Sequence, residues 1–222
     1  MKKKNILIMT LTVIFIFSIT SLAFASSQKS TIAPDTVITQ DNIYDVLKYC
    51  GLDPSSNIIN SDIPATKEAT VRDLKNAIKE SKKLPKIIKI YDNNPKNVNI
   101  NNTAPKTVFQ AGTATVFYDA QISSSVIMRY SASGAYNSSN QWTAAYGASI
   151  TSLSDDSVYY YTVGQINRLL NTCYNAATGS AYLQLDYDYI INHYYGIKGV
   201  GGILINQTNV IGKTNFNNSY LN

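Results

Sequence analysis

The stretch VFQAGTATVFYDAQISSSVIMRYSASGAYNSSNQWTAAYGASI, residues 108–150, decides the fold class. Ala114, Val116, Tyr118, Ala120 and Ile122 alternate with Thr113, Thr115, Asp119 and Gln121. Trp142, Ala144, Tyr146, Ala148 and Ile150 alternate with Thr143, Ala145, Gly147 and Ser149, and Val126, Met128, Tyr130 and Ala132 repeat the pattern between them. Successive strand residues point to opposite faces, so each run offers one apolar face and one small or polar face. That is the signature of an antiparallel sheet packed on one side and wet on the other.

Outward from this stretch, the N-terminus changes the totals. Lys2, Lys3 and Lys4 precede an almost wholly apolar run, Ile6 to Phe24, and Ala23-Phe24-Ala25 has the small-x-small form of a cleavage site. Residues 1–25 therefore read as a secretory signal peptide, cleaved near Ala25, with an uncleaved anchor as the competing reading. No Cys follows the run to take a lipid, and the C-terminus has no apolar tail or sorting signal, so a secreted, extracellular product is expected. The formal charge of +5 shrinks once the three signal-peptide lysines are removed, leaving about +2. With no concentrated basic stripe and no helix-turn-helix or zinc-finger pattern, nucleic acid is not an expected partner.

Composition shifts near Pro105-Lys106. All six prolines and both glutamates lie at or before Pro105; all but three of the 17 tyrosines follow it. The reading is a helix-leaning region with a linker over residues 26–105 and a Tyr-rich antiparallel β domain over 106–222, long enough to bury its own core.

In the first region, Ser26 to Thr36 reads as a leader. A short helix is expected from a Thr39 cap through Tyr49, closed by Gly51. A second should follow Thr70, with Val71, Leu74, Ala77 and Ile78 as its apolar stripe and Lys79, Lys82 and Lys83 as a solvated cationic end. Lys86 to Tyr91 fits a short strand, and Asp92 to Pro105, rich in Asn and Pro, reads as linker. In the second region, residues 136–140 and 174–179 read as hairpin turns. Thr162 to Cys173 fits two descriptions. Thr162 with Gln165 makes a helix capping box, whereas the β-branched and aromatic surroundings favour a strand paired with Tyr182 to Ile191. The strand is preferred. Val200 to Ile205 and Val210 to Phe216 read as a closing hairpin. About seven strands without alternating helices predict a mainly β fold: an antiparallel β-sandwich, with a barrel as second choice, behind a small helix-containing N-terminal region.

Candidate chemistry is sparse. Cys50 and Cys173, the only cysteines, are a candidate disulfide across a long loop. His193, the only histidine, lies beside Tyr194-Tyr195-Gly196 and reads as a loop or surface residue; no nucleophile motif accompanies it. One His and two distant Cys make no zinc site, and no phosphate loop is visible, so no metal or cofactor is expected. Asp186 and Asp188 share a strand face about 6–7 Å apart, the spacing of paired acids in a glycosidase or of calcium ligands, or simply the wet face opposite Leu185, Tyr187 and Tyr189. Asp155-Asp156 reads as part of a Ser-rich turn.

The tyrosines carry the functional expectation. Tyr159, Tyr161, Tyr187, Tyr189, Tyr194 and Tyr195 are too closely spaced for all to be buried on one sheet face, and an exposed tyrosine row suits stacking on sugar rings. The expected function is a secreted non-catalytic binding protein for a cell-envelope or extracellular glycan or protein. The alternatives are a secreted hydrolase using the paired aspartates and a membrane-active, toxin-like protein using Thr113 to Tyr130 as an amphipathic hairpin.

Overall fold

The alternation read in residues 108–150 becomes two long strands and part of a third. The computed structural model describes residues 32–55, 59–93, 95–96, 98–102, 111–153, 158–174 and 181–221. Residues 1–25, read above as a signal peptide, the start of the expected leader, the end of the expected linker, Asp155-Asp156 and the second polar turn lie outside the described residues. Two short helices, α1 (Ile43–Tyr49) and α2 (Val71–Ser81), and nine strands are present among them: β1 (Ile59–Asn60), β2 (Ile87–Asp92), β3 (Val98–Asn102), β4 (Gly112–Ser123), β5 (Val126–Tyr136), β6 (Trp142–Ser152), β7 (Tyr159–Tyr174), β8 (Tyr182–Ile197) and β9 (Gly201–Asn217). One sheet runs β3-β4-β5-β6. The other runs β1-β9-β8-β7, with β2 also paired to β9. All pairings are antiparallel except β2 with β9, which is parallel. The two sheets pack face to face as a sandwich, and no barrel closes. Where β7 approaches β5 and β6, side-chain amide bonds link the sheets: the Asn171 amide donates to the Ser133 and Gly147 carbonyls, at 2.9 and 3.1 Å.

Both helices follow their local signals. Thr70 caps α2 in a reciprocal box: its hydroxyl accepts from the Asp73 N–H while the Asp73 carboxylate accepts from the Thr70 N–H. Val71, Leu74, Ala77 and Ile78 are all buried. For α1 the structure moves the cap from Thr39 to Asn42, whose side-chain oxygen accepts from the Thr39 N–H. Gly51, at a φ of 75°, ends it in the left-handed region that favours glycine.

Three strand expectations change. Part of the expected linker is β3: Val98 to Asn102 completes the free edge of β4 in unbroken register, so its asparagines extend rather than turn the chain. The expected closing hairpin is a single strand of 17 residues, β9. Its middle, Asn206 to Asn209, is paired along β8, and two of its side chains are engaged as well: Asn206 donates to the Ser81 carbonyl and Gln207 to the Asn192 side chain. In β6 the alternation breaks. Irregularities opposite Ala132–Gly134 and Ala135–Tyr136 put Ala145 and Ala148 against the core and leave Tyr146 60% exposed. Residues 162–173 are strand, paired with β8.

The core lies between the sheets and is aromatic. Tyr130 of β5 stacks on Tyr187 of β8, with ring centroids 4.5 Å apart, and meets Tyr189 edge-on at 6.2 Å. The Tyr130 and Tyr189 hydroxyls share a 2.8 Å hydrogen bond, and the Tyr187 hydroxyl lies 3.3 Å from Thr214 Oγ1. Each ring thus fills the sandwich while its polar tip finds a partner, which is what burying tyrosine requires. Residues 34–222 form one compact unit. Within it the helical segment covers one end of the five-stranded sheet: Ser81 reaches the Ile205 carbonyl, Tyr160 donates to the Pro64 carbonyl, and Ile63 lies against Gly202.

Candidate functional site

Burial decides the fate of the expected tyrosine row. Tyr187 and Tyr189 are fully buried between the sheets, and Tyr161 is 8% exposed beside them. Tyr194 and Tyr195 are buried too, and Tyr159 is half-buried, edge-on to Tyr195. The expectation that some of these rings must be exposed or half-exposed is met among the six only by half-buried Tyr159, and for a specific reason. At the Tyr194-Tyr195 end both faces of the sheet are covered, one by the opposing sheet and one by the segment carrying α1 and α2. Five of the six named rings are therefore not available to a ligand in solvent.

Exposed tyrosines lie on α1 (Tyr44, Tyr49), on β6 (Tyr146) and on the outer face of the five-stranded sheet, where two of them share a face with a third, half-buried ring. Tyr91 of β2 is 68% exposed, Tyr174 of β7 is 42% exposed, and half-buried Tyr182 of β8 stacks on Tyr174 with centroids 5.1 Å apart and planes 18° from parallel. Register places them on one face. Tyr91 pairs with Lys213, Lys213 with Asp186 and Asp186 with Leu170; two rows along, Asn217 pairs with Tyr182 and Tyr182 with Tyr174. Between these rows Gln184 donates to Asp186 at 3.0 Å, and Lys213 lies 3.7 Å from Asp186. Two strand spacings and four residues of rise separate Tyr91 from Tyr182, roughly 16 Å across the sheet. The face therefore offers flat rings at its corners and amide, carboxylate and ammonium groups between them. Sequence reasoning passed over these three residues although their signal was present. Tyr182 has the same parity as Asp186 and Asp188, and Tyr91 alternates with Ile88 and Ile90.

Asp186 and Asp188 do share the outer face, as expected from their spacing. Asp186 is held by Lys213 and Gln184, and Asp188 accepts from Asn167 at 3.1 Å. Both carboxylates thus face polar or charged partners. The hairpin from Thr113 to Tyr130 is flanked by β3 and β6, its apolar face in the core. Its outer face carries Thr115–Ser133 hydroxyl pairing and the Arg129–Asp119 ion pair at 2.7 Å. Cys50 and Cys173 are separate free thiols, each pushed up by burial. Cys173 pairs with Leu183 and Leu183 with Phe216, whereas Cys50 lies near Lys75 on α2, the helix anchored at Ile205. The span of β9 from Ile205 to Phe216 is roughly 35 Å, and a disulfide needs its Cα atoms within about 7 Å.

No family model, curated protein or solved structure matches the chain. Among the described residues no cluster of His, Cys, Asp or Glu could hold a metal ion, and no helix is long and apolar enough to cross a membrane.

His193 is the second feature that the sequence placed wrongly. It lies inside β8 and is 3% exposed. An irregularity between His193 and Tyr194 lets the strand continue to Ile197 instead of ending at a loop. The ring sits edge-on to Tyr161, with centroids 5.1 Å apart, and burial pushes its pKa down to about 4. It lines a cleft of about 360 Å³ at the end of the sandwich.

Proposed function

We propose that the chain is an exported, non-catalytic β-sandwich that holds a cell-envelope or extracellular glycan against the outer face of its five-stranded sheet, through Tyr91, Tyr174 and Tyr182. The observation that carries this reading is the stacked, partly exposed Tyr174–Tyr182 pair on the same face as Tyr91, with a polar row between them. Rings laid on a strand surface are rigid, cost little conformational entropy to order, and present apolar faces beside hydrogen-bonding groups. A pyranose has matching chemistry, with C–H faces for the rings and hydroxyls for Asp186, Lys213 and the amides. Export rests on the lysine, apolar and Ala-Phe-Ala succession of residues 1–25.

Retention of residues 26–222 on insoluble cell walls and polysaccharides tests the reading. Retention is expected to persist at high salt, because ring stacking is not screened as exposed ion pairing is. Tyr91→Ala combined with Tyr174→Ala should release the protein, with its far-UV circular dichroism unchanged. Tyr44→Ala, on exposed α1 surface, should not. Absence of retention, or retention indifferent to the double substitution, contradicts it.

A further inference from the structure

The rings of the outer face stand at opposite margins of the sheet. Among the described residues β2, which carries Tyr91, pairs only with β9, and β7, which carries Tyr174, pairs only with β8. Register sets the span between them. From Tyr91 the pairing runs to Lys213 and Asp186; four residues further along β9 it runs from Asn217 to Tyr182 and on to Tyr174. Three strand spacings and four residues of rise therefore separate Tyr91 from Tyr174, roughly 20 Å, with Tyr182 one spacing nearer. A disaccharide is about two strand spacings long, roughly 10 Å, and reaches one end only.

The strip between the rings is polar and held in place. Gln184, 6% exposed, donates to Asp186 at 3.0 Å and to the Tyr174 hydroxyl at 3.4 Å, which fixes the carboxylate and the ring from beneath. Asn215 donates to Asn93, at the end of β2, at 3.1 Å. Half-buried Lys213, Asn215 and Asp186 thus present an ammonium, an amide and a carboxylate along the strip, the donors and acceptors that sugar hydroxyls need. The strip crosses one sheet and runs out over an edge strand at each end. Recognition of a chain end needs a wall that a longer chain would strike; a strip open at both ends lets the chain continue.

We infer that this face, taken as the recognition face proposed above, binds an internal stretch of an extended, β-linked polysaccharide of the cellulose or chitin type, about four to five pyranose units long at roughly one strand spacing each, with a tyrosine platform under each end. Linkage matters because equatorial β-bonds keep successive rings in line, whereas the α-bonds of a starch-type chain bend it into a coil that leaves a flat strip after a unit or two.

Calorimetric titration of residues 26–222 with cellobiose and cellohexaose, with chitobiose and chitohexaose, and with maltohexaose tests it. In at least one β-linked series the hexasaccharide should bind about ten-fold tighter than its disaccharide, the gain from one further ring contact. Maltohexaose should bind no tighter than that disaccharide. Tyr91→Ala, which removes an exposed ring, should bring the hexasaccharide down to the disaccharide's affinity. Equal affinity of disaccharide and hexasaccharide, maltohexaose binding as tightly as the β-linked hexasaccharide, or a length dependence that survives Tyr91→Ala overturns the inference. Retention on cell walls that depends on Tyr91 and Tyr174, without binding of either β-linked series, overturns it too but leaves the recognition face standing. Absence of retention removes the face, and this inference with it.

Discussion

Truncating Tyr187 to alanine is expected to destabilise the fold by about 4 kcal/mol, the range for removing a buried aromatic side chain, against a total stability of about 5–15 kcal/mol for a domain. The ring stacks on Tyr130, lies over Gly212 in the paired strand, and closes its hydroxyl on Thr214. A side chain at Gly212 would collide with this ring and with the Ile90 carbonyl, so the pair is a fitted unit joining β8, β9 and β2. Burial also pushes the Tyr187 phenol up to about 12, a mark of how dry its surroundings are. Urea unfolding should show the loss as a lower midpoint with little change in slope. Tyr174→Ala, at 42% exposure, is expected to stay within about 1 kcal/mol of the parent. A Tyr187→Ala protein as stable as Tyr174→Ala would mean that the tyrosine core is not what joins the sheets.

A second large effect follows from His193. Its pKa falls from 6.5 to about 4 on folding because the buried ring resists charge. Above pH 6.5 the ring is neutral in both states and contributes no pH dependence. Below 6.5 the unfolded chain takes up a proton that the folded protein refuses, so stability falls as pH falls, and the loss is complete near pH 4. At about 1.4 kcal/mol per pKa unit the loss amounts to about 3 kcal/mol. His193→Phe removes the titration and keeps a ring against Tyr161. Asp73, held below the usual carboxylate range by the Thr70 N–H and hydroxyl, also loses its contribution as pH falls, but equally in both proteins. Unfolding free energies of the two proteins should therefore diverge between pH 6.5 and 4, with the parent losing about 3 kcal/mol more. Parallel curves would place the imidazole in water.

What the sequence made legible follows from the period of its side chains. Where pairing is regular, over Gly112–Gln121 of β4, Met128–Ala132 of β5 and Leu183–Ile191 of β8 against β9, alternation alone located the core: Val116, Met128, Tyr130, Leu185 and Tyr189 are all at or near zero exposure. Where bulges intervene, parity slips and the reading slips with it. In β7 the irregularities between Val163 and Arg168 put Val163, Leu169 and Cys173 toward the core at uneven spacing, which imitates a helix. In β6 similar irregularities turned Tyr146 outward. Asparagine misled twice, in β3 and β9, because a residue common in turns is extended when neighbouring strands pair with its backbone. The site was harder. That Tyr194 and Tyr195 are covered depends on where residues 34–84 pack, a long-range fact with no local signal. His193 shares a cleft with Ser125 and Leu84 only because the ends of both sheets meet there. The even parity of Tyr182, by contrast, was readable, and points to the outer face.

The division of the tyrosines into core and surface is the claim on which the rest depends. Nitration of residues 26–222 with tetranitromethane at mildly alkaline pH, followed by peptide mapping, measures it directly. Tyr44, Tyr91, Tyr146 and Tyr174 should react first, while Tyr130, Tyr187 and Tyr189 resist until the protein is unfolded. Reaction of Tyr187 or Tyr189 in the native protein as fast as Tyr91 would contradict the account, returning those rings to solvent and the recognition face to β8.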